Sequence, residues 1–173
     1  MLLLISLDSL RADALGCAGY HRFTTPHLDR FSREAVHYSN CLSPSPWTRP
    51  SHMSLLTSLY PQVHGLDRDP SDLDLSRSFS TWAEIFKEAG FQTLGITGGG
   101  FVHPSHGFER GVRSLGLGRR QFSADCRQSI LALRKWRKTD LFFFLHTFAT
   151  HTPYNLHGQL DYHSADVTKK MRR

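Results

Sequence analysis

Only three cysteines occur in the 173 residues, Cys17, Cys41 and Cys126, widely spaced and odd in number. That excludes a disulfide framework and any recurrent zinc-ligand spacing, so buried thiols are the expectation. No internal repeat and no long low-complexity segment is present, which excludes a solenoid or a largely disordered chain. No apolar run approaches the roughly 20 residues that a membrane-crossing helix needs. "MLLLISL" lacks a basic leader and runs straight into Asp8, so it reads as a buried strand rather than a signal peptide. No membrane segment and a cytoplasmic location are expected. Acidic residues are outnumbered, 15 against 21 basic, for a net charge of +6, which suits anionic partners without choosing among them. Much of the excess lies in "LRKWRK" at 133–138 and in the terminal "KKMRR". The first follows "SADCRQSILA" and reads as the last turn of a helix, where cations oppose the dipole. No recognisable nucleic-acid module accompanies either run, and no nucleic-acid partner is expected.

What is present suits a single domain that buries roughly 70% of its unfolded surface. The uninterrupted apolar run Leu2 to Leu7 predicts a parallel strand covered on both faces, hence a central one. "FQTLGIT" at 91–97 and "LFFFLHTF" at 141–148 predict two more strands, preceded by the helical patterns "STWAEIFKEAG" and "SADCRQSILALRKWRK". Helix then strand, repeated, indicates an α/β fold, a mostly parallel sheet flanked by crossover helices. In the first of these helices Trp82, Ile85, Phe86 and Ala89 recur at helical spacing, and Gly90 stands at the natural stop. Upstream, "TPHLDRFSREA" offers Thr25 as N-cap and Pro26 as first helical residue, with Leu28, Phe31 and Ala35 on one side. "VHYSNCL" alternates as a strand does, and residues 61–79, rich in turn formers and acids, read as a surface connection.

Ligands of open α/β sheets collect at the carboxyl ends of the strands, and Asp8 occupies that place on the first. A carboxylate beside a hydrophobic strand needs compensation, which a divalent cation supplies; capping of the turn "DSLRAD" or pairing with Arg11 would also do so. In "SPSPWTRPSHMSLLTS", residues 43–58, Pro50 suits a first helical turn, and Met53, Leu56 and Leu59 follow at helix spacing, so Thr48 or a near neighbour starts a helix. A hydroxyl there faces unpaired N–H groups and the positive end of the dipole, a seat for a phosphate or sulfate ester and for a nucleophile attacking it. The plainer role is an N-cap. Thr48, Ser51 and Cys41 all stand as nucleophiles at this point.

Five blocks, "LLLISLDSLRADALGCAGY", "TPHLDRFSREAVHYSN", "SPWTRPSHMSLLTSLYPQVHGL", "GFERGV" and "FFFLHTFATHTPYN", resemble in this order the N-terminal half of the sulfatase family. That family belongs to the alkaline phosphatase superfamily of metal-dependent phosphate and sulfate ester hydrolases. The resemblance implies an alkaline-phosphatase-like fold, with residues 1–155 as its N-terminal catalytic portion and 156–173 as a basic, flexible tail. It implies a sulfuric or phosphoric ester hydrolase acting on a small anionic ester with one divalent metal ion, Ca, Mg, Mn or Zn.

Sulfatases carry C-x-P-S-R ahead of x-x-L-L-T-G, and "TRPSHMSLLTS" aligns with that pattern without a gap. Thr48 then falls on the cysteine that sulfatases oxidise to formylglycine. Pro50 and Ser51 match, Ser51 as scaffold; His52 replaces the arginine, and Cys41 lies seven residues too early. Threonine cannot become formylglycine, so none is expected. A threonine ester must be cleaved by a second attack, from water or an acceptor hydroxyl, in an in-line transfer. Asp8 corresponds to the first metal-binding aspartate, and Ser9 stands where many members have a second. The implied site is thus Asp8 and Thr48 as metal ligands, Thr48 as nucleophile, and His52 and His151 facing substrate. The block that holds His151 also places His146 at a strand end, either at the site or in a structural part. In "GITGGGFVHPSHGFERGV", where the family presents a lysine and a histidine, no lysine occurs and His103 and His106 are the remaining candidates. The family's closing "DHG" metal block is absent, and Asp161 and His163 of "LDYHSAD" receive no metal role. The resemblance therefore implies a truncated hydrolase with little esterase activity alone, or an inactive remnant that binds an anion at the Thr48 helix start.

Overall fold

"LFFFLHT" carries apolar side chains on both of its faces, and a strand of that kind is stable only when both are covered. The computed structural model of the protein, which describes residues 1–66, 75–114 and 122–151, places it inside a sheet. Four parallel strands, β1 (Leu2–Leu7), β2 (Gln92–Thr97), β3 (Arg113–Ser114) and β4 (Leu141–Thr147), lie in the order β1-β4-β2-β3. Because side chains alternate across a strand, Phe142 and Phe144 enter one core with Met53, Leu56 and Phe108. Leu141 and Phe143 enter the other with Leu94, Ile96 and Ala132. Helix α2 (Thr48–Thr57) and helix α4 (Trp82–Glu88) cover the first face; α5 (Phe122–Trp136) covers the second. The α/β expectation is met.

Several sequence expectations change. The central position belongs to β4; β1 is an edge strand of the described sheet, with Leu2, Leu3 and Ile5 exposed. Its continuous apolar run forecast two covered faces, but among the described residues only its Leu4 packs against a core. "VHYSNCL" forms no strand, since no described strand pairs with it, and Val36, Tyr38 and Leu42 are exposed. Helix α1 (Pro26–Phe31) ends early and continues as a 3-10 turn; Thr25 does not cap it, because its hydroxyl accepts from the Gly16 N–H and donates to Asp29. The 61–79 connection is more than surface: helix α3 (Pro61–His64) is followed by buried Leu66, and Leu75 is buried beyond residues that lie outside the description. Cys17 and Cys41 are exposed rather than buried, because the 3-10 turn that holds Cys17 and the irregular stretch that holds Cys41 contribute no core residue. The basic run behaves as expected, with Arg134 and Lys135 in the last turn of α5. Residues 152–173, including Asp161, His163 and the tail, lie outside the described residues. Among the described residues no helix is long and apolar enough to cross a membrane.

Helix α4 starts on a capping box: Thr81 Oγ1 accepts from the Glu84 N–H, and Glu84 accepts from the Thr81 N–H. Arg110 then clamps this start, donating to both Glu84 carboxylate oxygens and to the Phe79 carbonyl. The next residue, Gly111, has φ 74°, and a Cβ there would collide with the backbone of Ala83 and Glu84. Gly111→Ala is therefore expected to destabilise the fold by at least about 2 kcal/mol, read as a lower urea midpoint at unchanged m-value.

Candidate active site

Parallel register decides which side chains meet at the carboxyl end of the sheet. Ser6 of β1 lies opposite His146 of β4, and Leu7 lies opposite Thr147. Asp8 follows, its N–H donating to the Thr147 carbonyl at 3.0 Å, and the Thr150 hydroxyl returns to the Asp8 carbonyl at 2.7 Å. Asp8 is thus fixed by backbone on two sides.

Helix α2 presents its first turn to this point. Trp47, in extended conformation, is the N-cap without a side-chain bond, and Thr48 is the first helical residue. The Thr48 hydroxyl donates to Asp8 Oδ2 at 3.1 Å. That separates it from the plain N-cap role, in which the oxygen would accept from its own helix. Ser51 Oγ bonds back to the Thr48 carbonyl at 3.1 Å, a scaffold contact within the turn. Pro50 is buried in the first turn, as its missing N–H permits.

His52 locks the turn from beneath. The Thr48 carbonyl can only accept, so the 2.8 Å contact assigns the proton to His52 Nδ1. His52 Nε2 then accepts from the Ser6 hydroxyl at 2.7 Å, tying α2 to β1. Burial above all, together with neighbouring His146, holds the His52 pKa below the ordinary range, consistent with this neutral tautomer.

His146 is fully buried, and its Nε2 lies 3.3 Å from Asp8 Oδ2, which assigns the proton to Nε2. Its ring stands edge-on to His52 and to Phe148, at centroid distances of 4.9 Å and 4.6 Å. Its Nδ1 has no described partner. Asp8 therefore accepts from Thr48 and His146 on Oδ2 and from the Ser9 hydroxyl, 2.8 Å away, on Oδ1. Burial pushes its carboxyl up, but the hydrogen bonds from His146, Ser9 and Thr48, together with the electrostatic attraction of the His146 ring, bring it down to about 2. Ser9 holds φ 62°, a left-handed backbone that turns the chain sharply beside the carboxylate. Arg11 pairs with Asp13.

The depressed pKa has a stability consequence. A carboxyl whose folded pKa lies below its unfolded value of 3.8 stabilises the fold above pH 3.8; that contribution is lost as pH falls toward about 2. Asp8→Asn is expected to flatten urea stability over this window by roughly 2 kcal/mol relative to the parent chain, with both measured in chelator.

The glycine stretch serves packing. A Cβ on Gly98 would meet the Phe148 ring at 2.8 Å and one on Gly100 at 2.9 Å. The glycines thus let Phe148 settle against them, and Phe148 in turn contacts both His146 and His151, the latter at 5.6 Å. His103 folds back locally, its Nδ1 accepting from the Ser105 N–H, in the turn that also holds His106.

The structure therefore brings Asp8, Thr48, His52 and His146 together, and ties the loop that carries His151 to Asp8 through Thr150. The sequence left His146 open between the site and a structural part, and gave no part to Ser6. The available signal was polar side chains toward the ends of two apolar strands, Ser6 in the first and His146 with Thr147 in the second. Among the described residues no three His, Cys, Asp or Glu side chains group to hold a metal ion. Asp8 and Thr48 offer one carboxylate and one hydroxyl, whereas magnesium takes about six oxygens and calcium six to eight. These two side chains form at most one face of such a site.

A family model for sulfatases matches residues 1–172. An ulvan-active sulfatase of Formosa agariphila is 42% identical over 89 residues, covering 51% of this chain and 17% of the relative. An N-acetylgalactosamine-6-O-sulfatase of Bacteroides thetaiotaomicron is 34% identical over 97 residues, 54% of this chain and 19% of the relative. A steryl-sulfatase of Mus musculus is 34% identical over 148 residues, 72% and 23%. Two solved structures share the fold. The phosphonate monoester hydrolase of Agrobacterium radiobacter has TM-score 0.69 at 16% identity, over 89% of this chain and 42% of its own. The C-terminal periplasmic domain of EcEptC from Escherichia coli, in complex with Zn, has TM-score 0.63 at 17% identity, over 94% and 48%. The chain thus spans less than a quarter of each of these sequence relatives.

Proposed function

The chain belongs to the sulfatase family, and from that premise we propose that it carries the nucleophile end of an ester hydrolase in which Thr48 attacks a sulfate or phosphate ester in line. The observation that carries this reading is the Thr48 hydroxyl, seated at a helix start and donating to a buried carboxylate rather than to its own helix. In the first step a bond forms from Thr48 Oγ to sulfur or phosphorus and the bond to the ester oxygen breaks, the proton given up by Thr48 passing by way of Asp8 Oδ2 to that leaving oxygen. The Thr48 proton already points at Asp8 Oδ2. In the second step water attacks the Thr48 ester, releasing sulfate or phosphate and restoring the hydroxyl. His52, neutral and held between Ser6 and Thr48, positions the turn under the substrate, while His151 approaches from the loop after β4. A divalent cation held by Asp8 and Thr48, with ligands beyond these, would neutralise the ester oxygens. Carbohydrate sulfates are the favoured substrates, because the relatives this chain is similar to include ones named for an ulvan and for N-acetylgalactosamine-6-O-sulfate.

Calorimetric titration with magnesium, calcium or zinc and then sulfate or phosphate tests the reading against an inactive, anion-binding remnant. Metal-linked anion binding together with cleavage of an aryl ester supports the enzyme. Binding with no cleavage of aryl sulfate, aryl phosphate or aryl phosphonate supports the remnant.

A further inference from the structure

The 3-10 turn Gly16–Ala18 and helix α1 contribute no buried residue, yet they enclose a cleft of about 600 Å³. Arg22, Arg30 and Arg33 all line it, and Asp29 is its one acidic residue. Asp29 is turned to local use: its Oδ1 accepts from the Cys17 N–H and the Thr25 hydroxyl, both at 2.9 Å. The ion pairs between described residues are Arg11 with Asp13, Arg110 with Glu84 and Asp8 with His146; none engages the three arginines. Three arginines thus line one open cleft and give it a surplus of positive charge. Each can bind the oxygens of a sulfate or carboxylate in bidentate fashion. Tyr20, half-buried, and Phe23, 76% exposed, line the same cleft. An exposed phenylalanine beside unpaired arginines gains little as a solvated face, and it supplies a flat apolar surface for a sugar ring.

We propose that this cleft binds an anionic sugar unit of a polyanionic glycan, so that the substrate of the Thr48 site is a residue within such a chain rather than a small free ester. The proposal rests on the carbohydrate-sulfate reading above, and the cleft shares no lining residue with the Asp8–Thr48 cluster. A nucleic acid fits less well. The other described basic run, Arg134 to Lys138, closes α5 and lines no part of the cleft, so the basic charge is not laid along one continuous phosphate track.

The test is calorimetry on the whole chain with a heparin-derived tetrasaccharide, its desulfated counterpart, inorganic sulfate, and a single-stranded oligonucleotide of equal charge. The sulfated tetrasaccharide is expected to bind at least about tenfold more tightly than the desulfated one. R22A/R30A/R33A should weaken it by about tenfold or more, and the matching triple lysine variant, which keeps the charge but not the fork, should fall between. Tyr20→Ala with Phe23→Ala should weaken the tetrasaccharide and leave inorganic sulfate unchanged. These side chains lie outside both cores, so unchanged circular dichroism is expected throughout. Equal affinity of the alanine triple variant and the parent overturns the proposal, as does an oligonucleotide that binds as tightly as the tetrasaccharide. Thr48→Ala separates the two claims. If it removes ester cleavage and tetrasaccharide binding is indifferent to the arginines, the hydrolase reading stands and the cleft proposal falls. If arginine-dependent binding survives and no cleavage is seen in any form, the reverse holds.

Discussion

Thr48→Ala is expected to lower metal-dependent cleavage of aryl sulfate or aryl phosphate by this chain by on the order of 10³-fold or more, down to the background without protein. Ser51→Ala and Cys41→Ala should leave it unchanged. The contrast follows from position. Thr48 Oγ1 lies 3.1 Å from a carboxylate at the start of a helix; Ser51 Oγ is occupied by a carbonyl within the same turn, and Cys41 is exposed on an irregular stretch. With one carboxylate and one hydroxyl facing the ester, parent turnover is expected to be slow. The comparison is therefore best made as single-turnover release of the aryl leaving group at excess protein. Equal release by parent and Thr48→Ala would remove threonine from the chemistry. Loss of folding is not an alternative explanation, because Thr48 lies outside both apolar cores and its methyl is retained in a Thr48→Val control.

The second large effect is on stability. Phe142→Ala is expected to cost about 3–5 kcal/mol, enough to unfold much of the population of a marginally stable domain. Phe142 is fully buried on the central strand and stacks on Phe86 with ring centroids 4.9 Å apart and planes 14° from parallel. Its loss therefore removes both the transfer energy of the side chain and a specific ring contact between β4 and α4. Phe142→Leu, which refills most of the volume, should recover a good part. Urea denaturation followed by circular dichroism measures both, and a cost below about 1 kcal/mol would mean that β4 is not the centre of the core.

Strand and helix identities were legible wherever an element supplies its own reasons. The Leu141–Thr147 strand is apolar on both faces and the Thr81 helix has its cap, so each forms where the pattern puts it. The layer order was not legible. Leu2–Leu7 is apolar but for Ser6, yet it stands at an edge of the described sheet, because a run records only that both faces are to be covered and not which element covers them. "VHYSNCL" failed for a related reason: alternation proposes a strand, but only a neighbour with free backbone groups makes one. In the site, a strand end and a helix start are local features, and they marked Asp8 and the neighbourhood of Thr48; the choice of Thr48 over Ser51 and Cys41 came from the family resemblance. The part of His146 could not be located in this way, since it depends on the register of two strands distant in sequence, which sets Ser6 against His146 and brings the imidazole to the carboxylate. His52 shows the same limit. Its spacing from Thr48 is helical and readable, whereas its bond to Ser6 is not.

The central claim is that Thr48 is the nucleophile that takes up the transferred group, and covalent capture addresses it most directly. The chain is incubated with aryl sulfate or aryl phosphate and a divalent cation, quenched in acid, digested, and mapped by mass spectrometry. The expected result is one sulfuryl or phosphoryl group on the peptide containing Thr48, assigned to that side chain by fragmentation and missing from Thr48→Ala. A group found on Ser51 or Cys41, or leaving-group release with no modified Thr48 in the parent chain, would contradict it.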